Sequence, residues 1–204
     1  MTMGKGTTMP RWIGAVAAGA LALALAGCGS APWDATTPSS TPTSSAGPAQ
    51  ITTVVNELAN GSTQHLLAAG NIGLTVDYYS TLSMDAWTAD ANKPLSISMV
   101  AELSNDEGQR VYLSQMTVLV AVYGPEGALD GPEQLSDRAT ITPGYLVKSP
   151  YSYSQTFTLP KLDPAATFVT VSLTYELLLQ TTPTSVEYAK QTAADTLTIA
   201  IAPS

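Results

Sequence analysis

Cysteine and histidine are nearly missing from this 204-residue sequence, which holds one of each, and lysine and arginine together number only eight. One cysteine excludes an intrachain disulfide, and one of each residue excludes a Cys/His metal cluster. Two of the basic residues, Lys5 and Arg11, lie before position 28, so the remaining chain sets six cations against 16 acids, a formal charge of −10. A surface that acidic lacks the basic footprint that nucleic acids and anionic lipids require. The serine-acylation signatures are also missing: no Gly-x-Ser-x-Gly turn occurs, and no serine stands three residues before a lysine. Neither a phosphate-cradling loop ending in Lys-Ser/Thr nor a dinucleotide fingerprint is present. No cofactor is expected.

What is present begins with an address. Lys5 and Arg11 precede Trp12 to Ala26, an uncharged apolar run of 15 residues closed by Gly27 and Cys28. A basic end, a run of about 7–15 apolar residues and a small-residue site form the signal-peptide pattern. The run is short for a permanent span, which needs about 20 residues.

Leu25-Ala26-Gly27-Cys28 resembles the lipobox of bacterial lipoproteins: an aliphatic residue, two small residues and an acceptor cysteine. The resemblance covers residues 1–28 and implies that a diacylglyceryl group is added to the Cys28 thiol. Cleavage before Cys28 would make it the first residue of the mature protein. It implies a palmitate-type membrane anchor on an extracytoplasmic leaflet. Gly29 is not the aspartate that holds lipoproteins at the inner membrane, which points to the outer membrane in a cell with two.

Residues 29–50 hold nine Ser/Thr, four Pro and one charge, Asp34. Such a stretch buries too little apolar surface to offset the entropy of ordering. It reads as a tether, roughly 25 Å end to end if flexible and about 70 Å if extended. A single domain is expected over 51–204.

Within it, Ile51, Val54, Val55 and Leu58 have helical spacing and Asn60-Gly61 would stop a short helix, although the β-branched content leaves a strand as the alternative; residues 64–69 are also ambiguous. Beyond that point alternation dominates. Ile72, Leu74, Val76 and Tyr78 share one strand face, and Leu95, Ile97, Met99, Ala101 and Leu103 share another. A turn at Asn105–Gly108 and a return over Val111–Tyr123 suggest a hairpin. The apolar set there steps by an odd number, which places a bulge near Ser114-Gln115. Weaker extended stretches follow at Arg138–Ile141 and Tyr145–Lys148. Tyr151/Tyr153/Phe157/Leu159, Val169–Leu179 and Leu197–Ile201 then complete seven or eight strands. The pattern predicts an all-β antiparallel two-sheet sandwich, immunoglobulin-like, with a jelly roll as the alternative.

Candidate functional residues are sparse. His65 would be the base of any Ser-His-Asp set but reads better as a loop or strand-edge residue. Asp77, Asp85, Asp90, Glu102 and Glu176 are scattered acids that spacing cannot pair for glycan cleavage. Glu126, Asp130, Glu133 and Asp137 crowd one loop; they could supply oxygen ligands to calcium, but their spacing does not match the 12-residue calcium loop. Nine tyrosines against two phenylalanines single out Tyr78, Tyr79, Trp87, Tyr151 and Tyr153 as a weak binding surface, although tyrosine also simply favours strands. Together these readings give an envelope-anchored, non-enzymatic binding or scaffolding module whose partner is an envelope protein or a glycan. The alternatives are a small cell-wall hydrolase and a structural or assembly lipoprotein without a small ligand.

Overall fold

The computed structural model describes residues 55–203, so the lipobox, Cys28 and the tether lie outside the described residues. Apart from one short 3-10 turn, Met84–Ala86, the regular structure is entirely β. The first two strands, β1 (Ser62–Ala69) and β2 (Ile72–Tyr79), form a tight hairpin with Ala69 opposite Ile72. Gly70 supplies the left-handed φ of +62° that a two-residue connection needs. β3 (Lys93–Leu103) pairs with β2, and β8 (Tyr153–Leu159) pairs with β3, giving a four-stranded sheet β1-β2-β3-β8.

The second sheet is built on β4 (Val111–Gly124), β9 (Phe168–Gln180) and β10 (Tyr188–Ala200), in the order β10-β9-β4. Three short strands share the free flank of β4: β5 (Gly127–Leu129), β6 (Leu135–Arg138) and β7 (Tyr145–Leu146). Every strand pair in both sheets is antiparallel. The chain is an all-β sandwich. Its connectivity, β2-β3-β8 facing β10-β9-β4, follows the A-B-E and G-F-C strands of the immunoglobulin arrangement, with β1 added at one edge.

Period-two alternation explains the layering. Ile72, Leu74, Val76 and Tyr78 are buried from one sheet, as are Leu95, Ile97, Met99 and Ala101. Met116, Val118, Val120, Val169, Val171, Leu173 and Leu197 are buried from the other. Successive side chains in a strand point to opposite faces, so one inward set per sheet fills the space between the two. The expected bulge is present: the β4–β9 register shifts between Leu113 and Gln115. Close approach matters at Gly144, where a Cβ would lie 2.5 Å from the Leu113 carbonyl oxygen.

Three expectations need correction. The 95–103 and 111–123 segments do not pair; β3 and β4 lie in different sheets. The seven-residue connection between them exceeds the two to five residues usual in hairpins and instead arches across the core. Alternation reports an inward face but not which sheet owns it. The described part of the supposed first helix is a turn at 57–60, and residues 62–69 are strand β1; Ile51 and Val54 lie outside the described residues. The extended stretch placed at Arg138–Ile141 falls earlier, as β6, where Leu135 packs on the core.

Candidate functional site

A two-sheet sandwich has two lateral seams where the edges of its sheets face each other, and here the two differ. At one seam β1 faces β10. His65 projects from β1 and Asp195 from β10, and His65 Nδ1 lies 2.7 Å from Asp195 Oδ2. The same carboxylate oxygen accepts the Tyr78 hydroxyl at 2.6 Å, and the Tyr78 oxygen lies 2.8 Å from the Tyr175 hydroxyl. Because Tyr78 donates to Asp195, Tyr175 must donate to Tyr78. His65 Nε2 faces Glu57 Oε1 at 3.3 Å, so both ring nitrogens face carboxylate oxygens. Glu57 Oε2 accepts the Thr198 amide, and the Glu57 amide donates to the Thr198 carbonyl at 3.0 Å. The His65 and Tyr78 rings meet edge to face at 5.3 Å.

This seam is closed by a continuous polar chain that runs from solvent to the core. Burial raises the Tyr78 phenol well above the ordinary tyrosine range, helped by Tyr175 and by the Asp195 carboxylate. Burial does the same to Tyr175, again with Asp195 adding to it. Both hydroxyls therefore stay neutral and act as donors. Both His65 ring nitrogens face carboxylates, so the set acts as a zipper that ties β1 to β10.

At the other seam β8 faces the β5–β6–β7 flank. Among the described residues β8 pairs only with β3. Two depressions lie along this side. One of about 480 Å³ is walled by Asp130 and Glu133 from the β5–β6 connection, Leu135 from β6, Thr158 from β8, and Lys161 and Asp163 just beyond it. The other, of about 320 Å³, lies between Asp137 and Tyr145 on one bank and Tyr153, Ser154 and Gln155 on the other. Tyr153 donates its hydroxyl to Asp137 Oδ2 at 2.7 Å and stacks on Tyr145 with ring centroids 5.8 Å apart. Burial, with Asp137 second, raises the Tyr153 phenol far above its usual range.

The proposed tyrosine surface does not survive as a surface. Tyr78 and Trp87 are fully buried and Tyr153 is 7% exposed. Trp87 Nε1 donates to Ser80 Oγ at 2.9 Å, which anchors the loop before β3. Tyr79 is half-buried, and of the five only Tyr151, at 57%, is exposed. Three of these rings cannot stack on a ligand because the core already covers them.

The scattered acids stay scattered. Asp77 accepts Gln64 Nε2 at 2.7 Å, Glu176 meets Lys190 at 2.9 Å, and Asp90 lies 3.9 Å from Lys161. Asp85 opens the 3-10 turn, and Glu102 borders a separate depression with Asp106 and Lys148. Among the described residues no three Asp, Glu, His or Cys side chains, Glu126, Asp130, Glu133 and Asp137 included, are grouped to hold a metal. Nor is any described helix long and apolar enough to cross a membrane.

Sequence reasoning missed the zipper because His65 and Asp195 stand 130 positions apart. The one available signal was an acid, Asp195, breaking the polar-small pattern of the final strand. No family model matches the chain, and no curated protein matches it in sequence.

Proposed function

We propose that the chain is a lipid-anchored, extracytoplasmic module of a bacterial cell envelope that binds or scaffolds another envelope protein and catalyses no reaction. The observation that carries this reading is Cys28, set at the end of an apolar run of 15 residues and followed by 22 residues of Ser/Thr/Pro-rich spacer. Two acyl chains hold a protein at a bilayer where one holds it only marginally. The spacer lets the sandwich stand off the surface and meet a partner.

The domain's own chemistry supports binding over catalysis. Its one histidine is spent between two carboxylates. A protein partner is favoured over a glycan because sugar stacking needs exposed ring faces. Tyr78, Trp87 and Tyr153 offer none, and of the five aromatic candidates only Tyr151 stands exposed.

The test is partition and labelling. In bacteria expressing the parent chain, labelled palmitate enters the protein and the protein follows the detergent phase. Cys28→Ser should remain unprocessed and unlabelled. A Cys28→Ser protein processed and retained in the detergent phase like the parent would overturn the reading.

A further inference from the structure

The edge strands are treated differently, and that difference points to a partner. Edge strands expose unpaired backbone groups and are commonly blunted by charge, proline or a covering segment. β10 carries Lys190 and the inward-pointing Asp195 and bonds the Glu57 backbone through Thr198, while β1 meets Glu57 and Asp195 through His65. β8 reads Tyr-Ser-Gln-Thr-Phe-Thr-Leu, with no charge and no proline between Tyr153 and Leu159.

Which backbone groups β8 leaves free follows from Pro94. The Pro94 carbonyl accepts Ser80 Oγ at 2.8 Å, on the β2 side of β3. In an antiparallel ladder the N–H and C=O of one residue point to the same side, and the side alternates along the strand. Pro94 therefore makes no ladder bond to Thr158, its partner in register. The bonded pairs are Lys93–Leu159, Leu95–Phe157, Ile97–Gln155 and Met99–Tyr153. Ala101 confirms the parity from the other end. Its N–H and C=O point to the β8 side and are taken by Val147 and Ser149, at 2.8 and 3.0 Å. The N–H and C=O of Ser154, Thr156 and Thr158 consequently point outward, three donor–acceptor pairs along about 14 Å of strand.

The seam beside this edge is acidic. Asp130, Glu133, Asp137 and Asp163 line its two depressions, against the single ammonium of Lys161. Side chains of a strand laid along β8 would alternate between the sheet's Ser/Thr outer face and this acidic seam.

We propose that β8 is a strand-addition site for an extended polypeptide segment of a partner, five to seven residues long, with lysine or arginine at alternate positions. Main-chain bonds to Ser154, Thr156 and Thr158 supply the pairing, and the four carboxylates select the basic side chains. This rests on the reading of the chain as a protein-binding module and names the chemistry of what it binds.

The test uses the full chain in detergent micelles, followed residue by residue through amide resonances. The probe is a synthetic octapeptide alternating lysine and valine, with a glutamate–valine peptide as its counterpart. The expected result is shifts and slowed amide exchange at Ser154, Thr156 and Thr158 with the lysine peptide. Binding of the glutamate peptide should be at least about tenfold weaker. Ser154→Pro removes an outward donor and leaves the β3 ladder intact, since proline is tolerated at edge positions whose N–H faces out. It should weaken binding about tenfold.

The double variant Asp130→Asn/Glu133→Gln touches charge alone and should weaken the lysine peptide without moving the unfolding midpoint. Equal binding of both peptides, shifts elsewhere in the domain, or indifference to both variants would overturn the proposal. So would a β8-to-β8 dimer of the chain that excludes the peptide. Peptide binding in micelles does not depend on Cys28, so its failure is distinct from a failure of the anchoring test.

Discussion

Replacing Tyr78 with phenylalanine tests the closed seam at the point where its polar chain enters the core. Tyr78 is fully buried, donates to Asp195 Oδ2 at 2.6 Å and accepts from Tyr175 at 2.8 Å. A hydrogen bond to a charged acceptor contributes about 1.5–3 kcal/mol, and a buried hydroxyl left without a partner costs about 1–3 kcal/mol. Tyr78→Phe removes the first bond and strands the Tyr175 hydroxyl, so the expected loss is about 3 kcal/mol. In a domain of this size that lowers the thermal midpoint by roughly 10 °C. Tyr175→Phe alone leaves the Tyr78–Asp195 bond in place and should cost about 1 kcal/mol. The double variant removes both ends of the inner bond together, so it should cost less than the sum of the singles by about 1 kcal/mol. Urea unfolding followed by circular dichroism, with unchanged slope, measures all three. Should Tyr78→Phe fall within about 0.5 kcal/mol of the parent, or the double equal or exceed the sum, the zipper is not what holds this edge.

Other outcomes follow from the same geometry. Tyr78, Tyr153 and Tyr175 have phenols raised above the unfolded value near 10, so their contribution is complete below that pH and is lost as pH rises through the folded values. Absorbance at alkaline pH should therefore show these three ionising only as the fold opens. Gly144→Ala drives a Cβ against the Leu113 carbonyl and should destabilise by about 2 kcal/mol, whereas Gly73→Ala, with open space around it, should change stability by less than about 0.5 kcal/mol. Thermal scans separate the two. Tyr151→Ala should leave stability within about 0.5 kcal/mol of the parent while Tyr153→Ala costs about 3 kcal/mol, so any binding defect of the latter has to be judged against its folded fraction.

Strands with one apolar face were readable because the period is local: Leu74, Val76, Leu95 and Ile97 announce themselves within a few residues. The bulge near Ser114 was readable for the same reason, as an odd step in an even pattern. Pairing was not. β3 and β4 are adjacent in the chain and each carries an inward face, yet the choice between hairpin and arch depends on what else competes for their edges. β3 takes β8, and β4 takes β9, from more than 40 positions away.

The candidate sites failed for a related reason. Tyrosine has the same strand preference whether its hydroxyl meets water or Asp195, and only the assembled core decides between them. His65 was expected in a loop or at a strand edge and lies within β1, but nothing nearby in sequence named Asp195 or Glu57. The free edge of β8 is likewise a property of the whole sheet order, and its seven residues look no different from a strand flanked on both sides.

The zipper also has a bearing on how the chain assembles over time. It joins the first strand of the domain to the last, with Glu57 meeting Thr198 and His65 meeting Asp195. Whether the polypeptide emerges from a ribosome or threads through a membrane pore, β1 and β2 arrive early and must wait for β10 before their side of the molecule can close. Until then the hydroxyl of Tyr78 has no carboxylate to meet and His65 has only Glu57, so the nascent domain stays loose on one flank. Completion is thus reserved for the last stretch of the domain to appear.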